Sequence, residues 1–398
     1  MKTAIQFGAG NIGRGFMGQL FREAGLRTIH VDTDPRLVEL INTRGRYTLK
    51  LLDAYTRTES DLVIDEIQAV AAVDAVRVAE YLAGAEVAGT AVGVKNLPSL
   101  ARLVAAGIAE RRRVNPRPID IYLCENVLNA AQTLKEATLS SLDADLHGWA
   151  EQNIGFVGTS VARMVPPAGA RYRSDDPLLV VADAYHALPY DAAATRGSPL
   201  LVEGVHGVWN FPAEVERKLF THNLGHAALG YLGHLRGLTY VHESLADAEL
   251  SAVFEGALDE TSRALLAKYP KDLEPQAHDE IRRDVRVRFG NPMIMDTVQR
   301  VARDPMRKLG PQDRLVGSIR LCLSQGVFPG YICRVCAAAL MYDAADDPDA
   351  IRLQQLIREQ GIEDALTEVS GIESETEEGR EIIRCYRELT AAGERMGR

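Results

Sequence analysis

Residues Thr3 to Phe7 are mostly apolar and suited to a strand, and the eight that follow, Gly8-Ala9-Gly10-Asn11-Ile12-Gly13-Arg14-Gly15, include four glycines. From Ile12 to Ala24 the apolar residues Ile12, Phe16, Leu20 and Phe21 fall at helical spacing. A second apolar stretch, Thr28 to Val31, ends on Asp32. Strand, glycine turn, helix and strand make the opening βαβ unit of a parallel sheet. Each glycine has a separate use in such a turn. Gly8 permits the tight bend, Gly10 lets the backbone come close to a diphosphate, and Gly13 lets the helix lie against the strand.

The helix start adds unpaired N–H groups and a partial positive charge, which suit the phosphates of a dinucleotide. Asp32 stands 19 residues beyond Gly13. A carboxylate there accepts hydrogen bonds from an adenosine ribose and repels a 2′-phosphate, so NAD is expected over NADP, although Arg36 nearby leaves NADP use open. The expected cofactor contacts are Phe7, Gly8, Ala9, Gly10, Asn11, Ile12, Gly13, Arg14 and Asp32. Val92 joins them, because Thr90-Ala91-Val92-Gly93 ends another strand of the sheet and ligands bind beyond carboxyl strand ends.

Further strand-like stretches at Leu62–Ile64, Val87–Val92 and Ile119–Cys124 alternate with alanine-rich helical patterns at Ala75–Leu82 and Leu97–Arg111. The first part of the chain is therefore expected to be a doubly wound α/β domain of the Rossmann type. Ile154–Val165 and Leu178–Val181 also look like strands, with prolines punctuating the loops between them. From Glu214 onward helical patterns dominate. The expected division is a dinucleotide-binding domain over residues 1–205 and an all-helical substrate domain over 206–398, and 398 residues are enough for two cores.

Composition excludes several classes. Charged residues make up 25% and the net charge is −10, which argues against a general binder of nucleic acid or anionic membranes. Five cysteines are an odd count for a fully paired secreted framework, no run of about 18 apolar residues occurs, and the start is not that of a signal peptide. A cytoplasmic protein with a small-molecule substrate is expected. Cys333 and Cys336 form a lone C-x-x-C inside an apolar helical pattern, which reads as core filling and not as a zinc site.

The second informative stretch is ERKLFTHNLGH, residues 216–226. At about 100° per residue, Lys218, Asn223 and His226 fall within an arc of about 140° on one helix. A lysine alone on a helix ordinarily faces solvent. Beside a nicotinamide, a partly buried lysine can lose its proton near neutral pH and serve as base for an alcohol, while asparagine and histidine hold the substrate oxygens.

The pair FGAGNIGRGF and ERKLFTHNLGH resembles the mannitol dehydrogenase family of polyol-specific long-chain dehydrogenases. The similarity runs through TAVG at Thr90–Gly93, CEN at Cys124–Asn126, Val165-Pro166-Pro167, RFGNP at Arg288–Pro292 and DPMRKLGPQDRL at Asp304–Leu315. The resemblance implies Lys218 as general base, Asn223 and His226 as groups that bind and polarise the reacting oxygen, and Asn126 as part of the oxyanion site. It also implies NAD, no metal, a Rossmann domain joined to a helical one, and a monomer or weak homodimer. The expected reaction interconverts mannitol 1-phosphate and fructose 6-phosphate. The alternatives are a free polyol or a hexuronate as substrate, or a non-catalytic NAD sensor.

Departures from the family pattern fall where a substrate would be recognised. Ala162 stands in place of an acid, Asn129 in place of an arginine, and Gly330 and Tyr331 in place of a histidine and a lysine. Arg307 and Lys308, with Arg303 and Arg314 nearby, are the expected anion-binding residues.

Overall fold

The computed structural model describes residues 2–126, 129–167, 170–172 and 176–395. Two compact units divide the chain, Met1–Glu214 and Val215–Arg398. The first unit runs past the boundary expected near residue 205, because Val205–Val208 is a strand paired with Leu188–Asp191.

In the first unit the strands are β1 (Thr3–Phe7), β2 (Arg27–Asp32), β3 (Tyr47–Leu52), β4 (Glu59–Ile64), β5 (Ile67–Ala71), β6 (Val87–Thr90), β7 (Ile119–Leu123), β8 (Ile154–Gly158), β9 (Val180–Asp183), β10 (Leu188–Asp191) and β11 (Val205–Val208). Its helices are α1 (Gly18–Glu23), α2 (Pro35–Arg44), α3 (Ala75–Gly84), α4 (Leu97–Val114), α5 (Ala130–Ser141) and α6 (His147–Asn153). Six strands form one sheet in the order β5-β2-β1-β6-β7-β8, with every neighbour parallel. Parallel strands need crossover helices, and these cover both faces. On one face Ile5, Phe7, Ile29 and Val31 pack with Val78, Leu82, Leu100 and Val104 of α3 and α4. On the other, Ala4, Val87, Tyr122 and Val157 meet Phe16, Met17, Leu20 and Phe21.

The strand order reverses at β1, so the carboxyl ends of β1 and β6 flank the switch point where an open α/β sheet takes its ligand. The glycine turn leaves β1 there, and the Thr90–Gly93 turn leaves β6. A small sheet, β4-β3-β9, lies outside the main one: strands near Leu62–Ile64 and Leu178–Val181 match the sequence reading, whereas β3 and the separate sheet do not follow from it. Its Tyr47 hydroxyl donates to the Arg14 carbonyl at 2.6 Å, tying the sheet to the helix after the glycine turn.

α7 (Phe211–Lys218) leads into the second unit, which contains α8 (Leu224–Leu235), α9 (Val241–Ala246), α10 (Ala248–Lys268), α11 (Pro275–Phe289), α12 (Val298–Ala302), α13 (Pro305–Lys308), α14 (Val316–Ser324), α15 (Gly330–Leu340), α16 (Pro348–Gln360), α17 (Ile362–Ser370) and α18 (Glu377–Arg395). Apolar residues surround α8 almost completely, so it forms the centre, packed by α9, α10, α12 and α15. Among the described residues no helix is long and apolar enough to cross a membrane, and no cluster of three or more acid, histidine or cysteine side chains could hold a metal ion. Cys333, Cys336 and Cys385 are buried, and burial pushes each thiol above its usual range.

Candidate active site

Two sets of residues carry chemistry, one in each unit. In the first, Gly8 has φ +86°, a conformation that glycine adopts freely, and a Cβ there would lie 2.3 Å from the Ala91 carbonyl oxygen. A Cβ at Gly13 would lie 1.9 Å from the Gly8 oxygen. Both glycines are thus required by the turn itself. Gly10 differs: it is exposed, and no atom lies within 4 Å of where its Cβ would stand. Among the described residues nothing demands a glycine at that place, and the open space suits a bound diphosphate.

The helix after the turn opens with a π segment, Gly13–Met17, in which Gly18 N–H donates to the Gly13 carbonyl five residues back. Asp32, at the end of β2, accepts from Ala9 N–H at 2.7 Å and from Asp34 N–H at 2.9 Å. These contacts use two of about four acceptor positions of the carboxylate and leave the others for ribose hydroxyls. An NAD dinucleotide therefore fits the residues present.

Not every expected cofactor contact is arranged that way. The Arg14 guanidinium is buried and donates to the carbonyls of Ala9 at 2.7 Å and Leu178 at 2.6 Å, so it braces the turn from inside. Phe7 is a core residue whose carbonyl receives Ala91 N–H. Asn11 is exposed and donates to the Val165 carbonyl at 3.1 Å, and Ile12 is half-buried. Val92 gives its N–H to Glu125 at 2.9 Å.

Glu125 was overlooked in the sequence. Its carboxylate also accepts from the Thr90 hydroxyl at 3.0 Å and from Gly93 N–H at 2.9 Å, holding the turn after β6 at the switch point. The one available signal was a carboxylate directly before the expected oxyanion residue Asn126, which is exposed beyond β7. Asn129 has φ +60°, a left-handed conformation that asparagine tolerates better than arginine.

In the second unit, Lys218 ends α7, and a π segment, Leu219–Asn223, joins it to α8. Leu224 N–H donates to the Leu219 carbonyl, five residues back. In a regular α-helix, residues five apart point about 140° away from each other. The wider turn brings i and i+5 toward one side, so Lys218 and Asn223 are drawn together, and α-helical spacing then adds His226 three residues on. Lys218 is half-buried. Asn223 is 6% exposed, and among the described residues its amide has no hydrogen-bond partner. The amide is not among the sealed, unpartnered polar groups, so it stays open to a ligand.

His226 Nε2 lies 2.9 Å from Asp296 Oδ2, and Arg300 holds both oxygens of that carboxylate at 2.6 Å. The His226 and Arg300 contacts draw the Asp296 pKa down to about 2, against the opposing effect of burial. Burial lowers the His226 pKa below its usual value, and the carboxylate offsets only part of that shift. The ring stacks on Phe289 with centroids 4.6 Å apart. His222 is also held neutral, by burial and by the charges of Arg288 and Lys218.

The expected anion-binding residues are engaged elsewhere. Arg307 pairs with Asp313 at 3.0 Å and Asp304 at 3.3 Å. Lys308 is buried and gives its ammonium to the carbonyls of Val301 and Arg303, so it braces that turn instead of offering a free charge. At the Gly330–Tyr331 departure, Glu260 accepts from Tyr331 N–H at 2.9 Å and Ile332 N–H at 3.1 Å, so a protein carboxylate caps α15.

Known proteins share the sequence pattern and the fold of both units. Residues 2–200 match the mannitol dehydrogenase Rossmann domain and 213–389 the mannitol dehydrogenase C-terminal domain. The chain is 37% identical to a mannitol-1-phosphate 5-dehydrogenase of Brevibacillus brevis, covering 93% of each. It is 34% identical to one of Caldanaerobacter subterraneus, covering 98% of this chain and 99% of that one. In solved structures the fold recurs in Pseudomonas fluorescens mannitol 2-dehydrogenase, crystallised with NAD and D-mannitol, with a TM-score of 0.79 at 19% identity over 98% of this chain and 92% of that one. A D-sorbitol dehydrogenase gives a TM-score of 0.81 at 17% identity over 99% and 94%. With both of its domains matched and two close relatives spanning nearly its whole length, the chain belongs to the mannitol dehydrogenase family.

Proposed function

We propose that this chain is an NAD-dependent oxidoreductase that interconverts mannitol 1-phosphate and fructose 6-phosphate. The observation that carries the reading is its identity of 34–37%, over more than nine-tenths of its length, with relatives named mannitol-1-phosphate 5-dehydrogenase. The polar helix supports it, since hydride transfer from an alcohol needs a base for the hydroxyl proton and donors for the oxygen that gains charge.

NAD, when bound, supplies the acceptor for the hydride leaving the carbinol carbon. Lys218 Nζ takes the hydroxyl proton and returns it in the reverse direction. The Asn223 amide, which has no partner among the described residues, donates to the reacting oxygen, and Asn126 serves as a further amide donor. His226 binds the polyol beside them. Gly10 and the first helical N–H groups accommodate the diphosphate, and Asp32 accepts from the adenosine ribose.

A specific observation favours a second reading, an unphosphorylated polyol as substrate: Arg307 is paired with two aspartates and Lys308 is spent on carbonyls. Following NADH oxidation with fructose 6-phosphate, fructose and tagaturonate separates the readings. Turnover on the phosphate at least about tenfold faster in kcat/KM than on fructose is expected, a margin of about 1.4 kcal/mol. Activity confined to the free sugars would overturn the assignment.

A further inference from the structure

The Asp296 carboxylate has contacts on both sides. Arg300 approaches it with Nε on Oδ1 and Nη2 on Oδ2, while His226 Nε2 meets Oδ2. Asp296 is 4% exposed, and the residue before it, Met295, has φ +51°, a left-handed conformation uncommon outside glycine and asparagine. The main chain of the same loop is tied down as well, with Val241 N–H donating to the Asp296 carbonyl at 3.0 Å. The side chain is therefore built into position at some cost in backbone strain.

A carboxylate gripped by a guanidinium stays ionised and only accepts hydrogen bonds. The hydrogen of the contact must then sit on His226 Nε2. In the neutral ring this leaves Nδ1 as a lone-pair acceptor. Among the described residues Nδ1 has no protein partner, and it is not sealed away, whereas Nδ1 of the adjacent His222 is buried without a partner. Stacking on Phe289, with planes 18° apart, fixes the direction in which Nδ1 points.

We propose that Asp296, clamped by Arg300, is a positioning residue that locks His226 in the Nε2–H tautomer, so that Nδ1 accepts a hydrogen bond from a substrate hydroxyl instead of donating to the reacting oxygen. This deepens the reading above and rests on it for the identity of the ligand. It divides the work on the helix: Asn223 supplies the hydrogen toward the reacting oxygen, and His226 requires a hydroxyl hydrogen from a neighbouring carbon. A ligand with no hydroxyl there leaves the lone pair unmet, which selects for polyols and their ketoses over simple alcohols.

The decisive measurement is nitrogen NMR on the full chain labelled with 15N-histidine, with the His226 signals assigned by their loss in His226→Ala. A protonated Nε2 and an unprotonated Nδ1 are expected near pH 7.5, and the opposite pattern in the wild-type protein would overturn the proposal. This readout needs no substrate, so it stands apart from any failure of the fructose 6-phosphate assignment, which the sugar-profile assay decides.

In Asp296→Asn one of the two oxygens that Arg300 grips becomes an amide nitrogen, so the clamp loses a hydrogen bond and its negative charge, and the ring hydrogen is no longer held on Nε2. Reduction of fructose 6-phosphate by NADH should then lose about 10- to 100-fold in kcat/KM, the range for leaving one polar group of the bound ligand unpaired. Because Asp296 acts through His226, adding Asp296→Asn to His226→Ala should cost less than about threefold more. Full multiplication of the two losses, or a reversed tautomer without loss of activity, would overturn it.

Discussion

In the glycine turn the proposed functional groups belong to the backbone; in the polar helix they are side chains. Both regions contain a π segment, at Gly13–Met17 and at Leu219–Asn223, and the two segments serve different ends. In the first, glycines at 13, 15 and 18 remove Cβ atoms that would strike the Gly8 carbonyl, Val165 with Val180, and the Tyr47 hydroxyl. In the second, the extra residue swings Asn223 toward the side of Lys218. A site made from backbone is fixed by which side chains are missing, whereas a site made from side chains depends on what the rest of the fold brings to them.

The largest effect that separates the two regions is expected from Lys218→Ala. If Lys218 is the proposed general base, its loss should cut kcat about 10³-fold. The glycine turn is untouched by the change, so NADH affinity, measured by fluorescence titration, should stay within about threefold. A parallel loss of NADH binding would break the comparison, because Lys218 would then belong to the cofactor site as well.

A smaller effect distinguishes two glycines within the turn. Alanine at Gly13 places a methyl group 1.9 Å from the Gly8 oxygen, and the turn must move to admit it. Overpacking of this kind should destabilise the first unit by about 2–3 kcal/mol, seen as a lower thermal midpoint. Alanine at Gly10 meets no protein atom, so stability should hold within about 0.5 kcal/mol while NADH binds about tenfold more weakly. Unchanged NADH affinity in Gly10→Ala would remove the argument that Gly10 faces the diphosphate.

These contrasts follow what the sequence could and could not reveal. The βαβ opening was legible because turn chemistry and periodicity are local, and the same locality made Lys218, Asn223 and His226 visible as a group. The π segment between them was not, since LFTHN has nothing that distinguishes it from an ordinary helical turn. Asp296 and Arg300 were missed because they meet His226 only through the fold, seventy residues along the chain. Glu125 was missed because its partners Thr90, Val92 and Gly93 lie on a neighbouring strand end. Arg14 and Lys308 show the opposite error. A basic residue in a motif invites an anion in the reading, yet the charged end of each of these side chains is buried against backbone carbonyls.

The smallest expected effect lies at Asp32, where the backbone site depends on one side chain. Its two oxygens hold Ala9 and Asp34 N–H, so the carboxylate fixes the turn, and in the proposed reading it also presents negative charge to the ribose. Asp32→Ala removes the repulsion against a 2′-phosphate and should raise the NADPH-to-NADH ratio of kcat/KM about tenfold, or about 1.4 kcal/mol. NADH use itself should fall, because Ala9 N–H loses its partner and the ribose loses an acceptor. Asp32→Asn keeps an oxygen for one of the two N–H groups but drops the charge, so it should shift the ratio in the same direction with less loss on NADH. If the ratio stayed fixed in both variants, Asp32 would act only as a brace for the turn, and cofactor choice would have to be read from another residue such as Arg36.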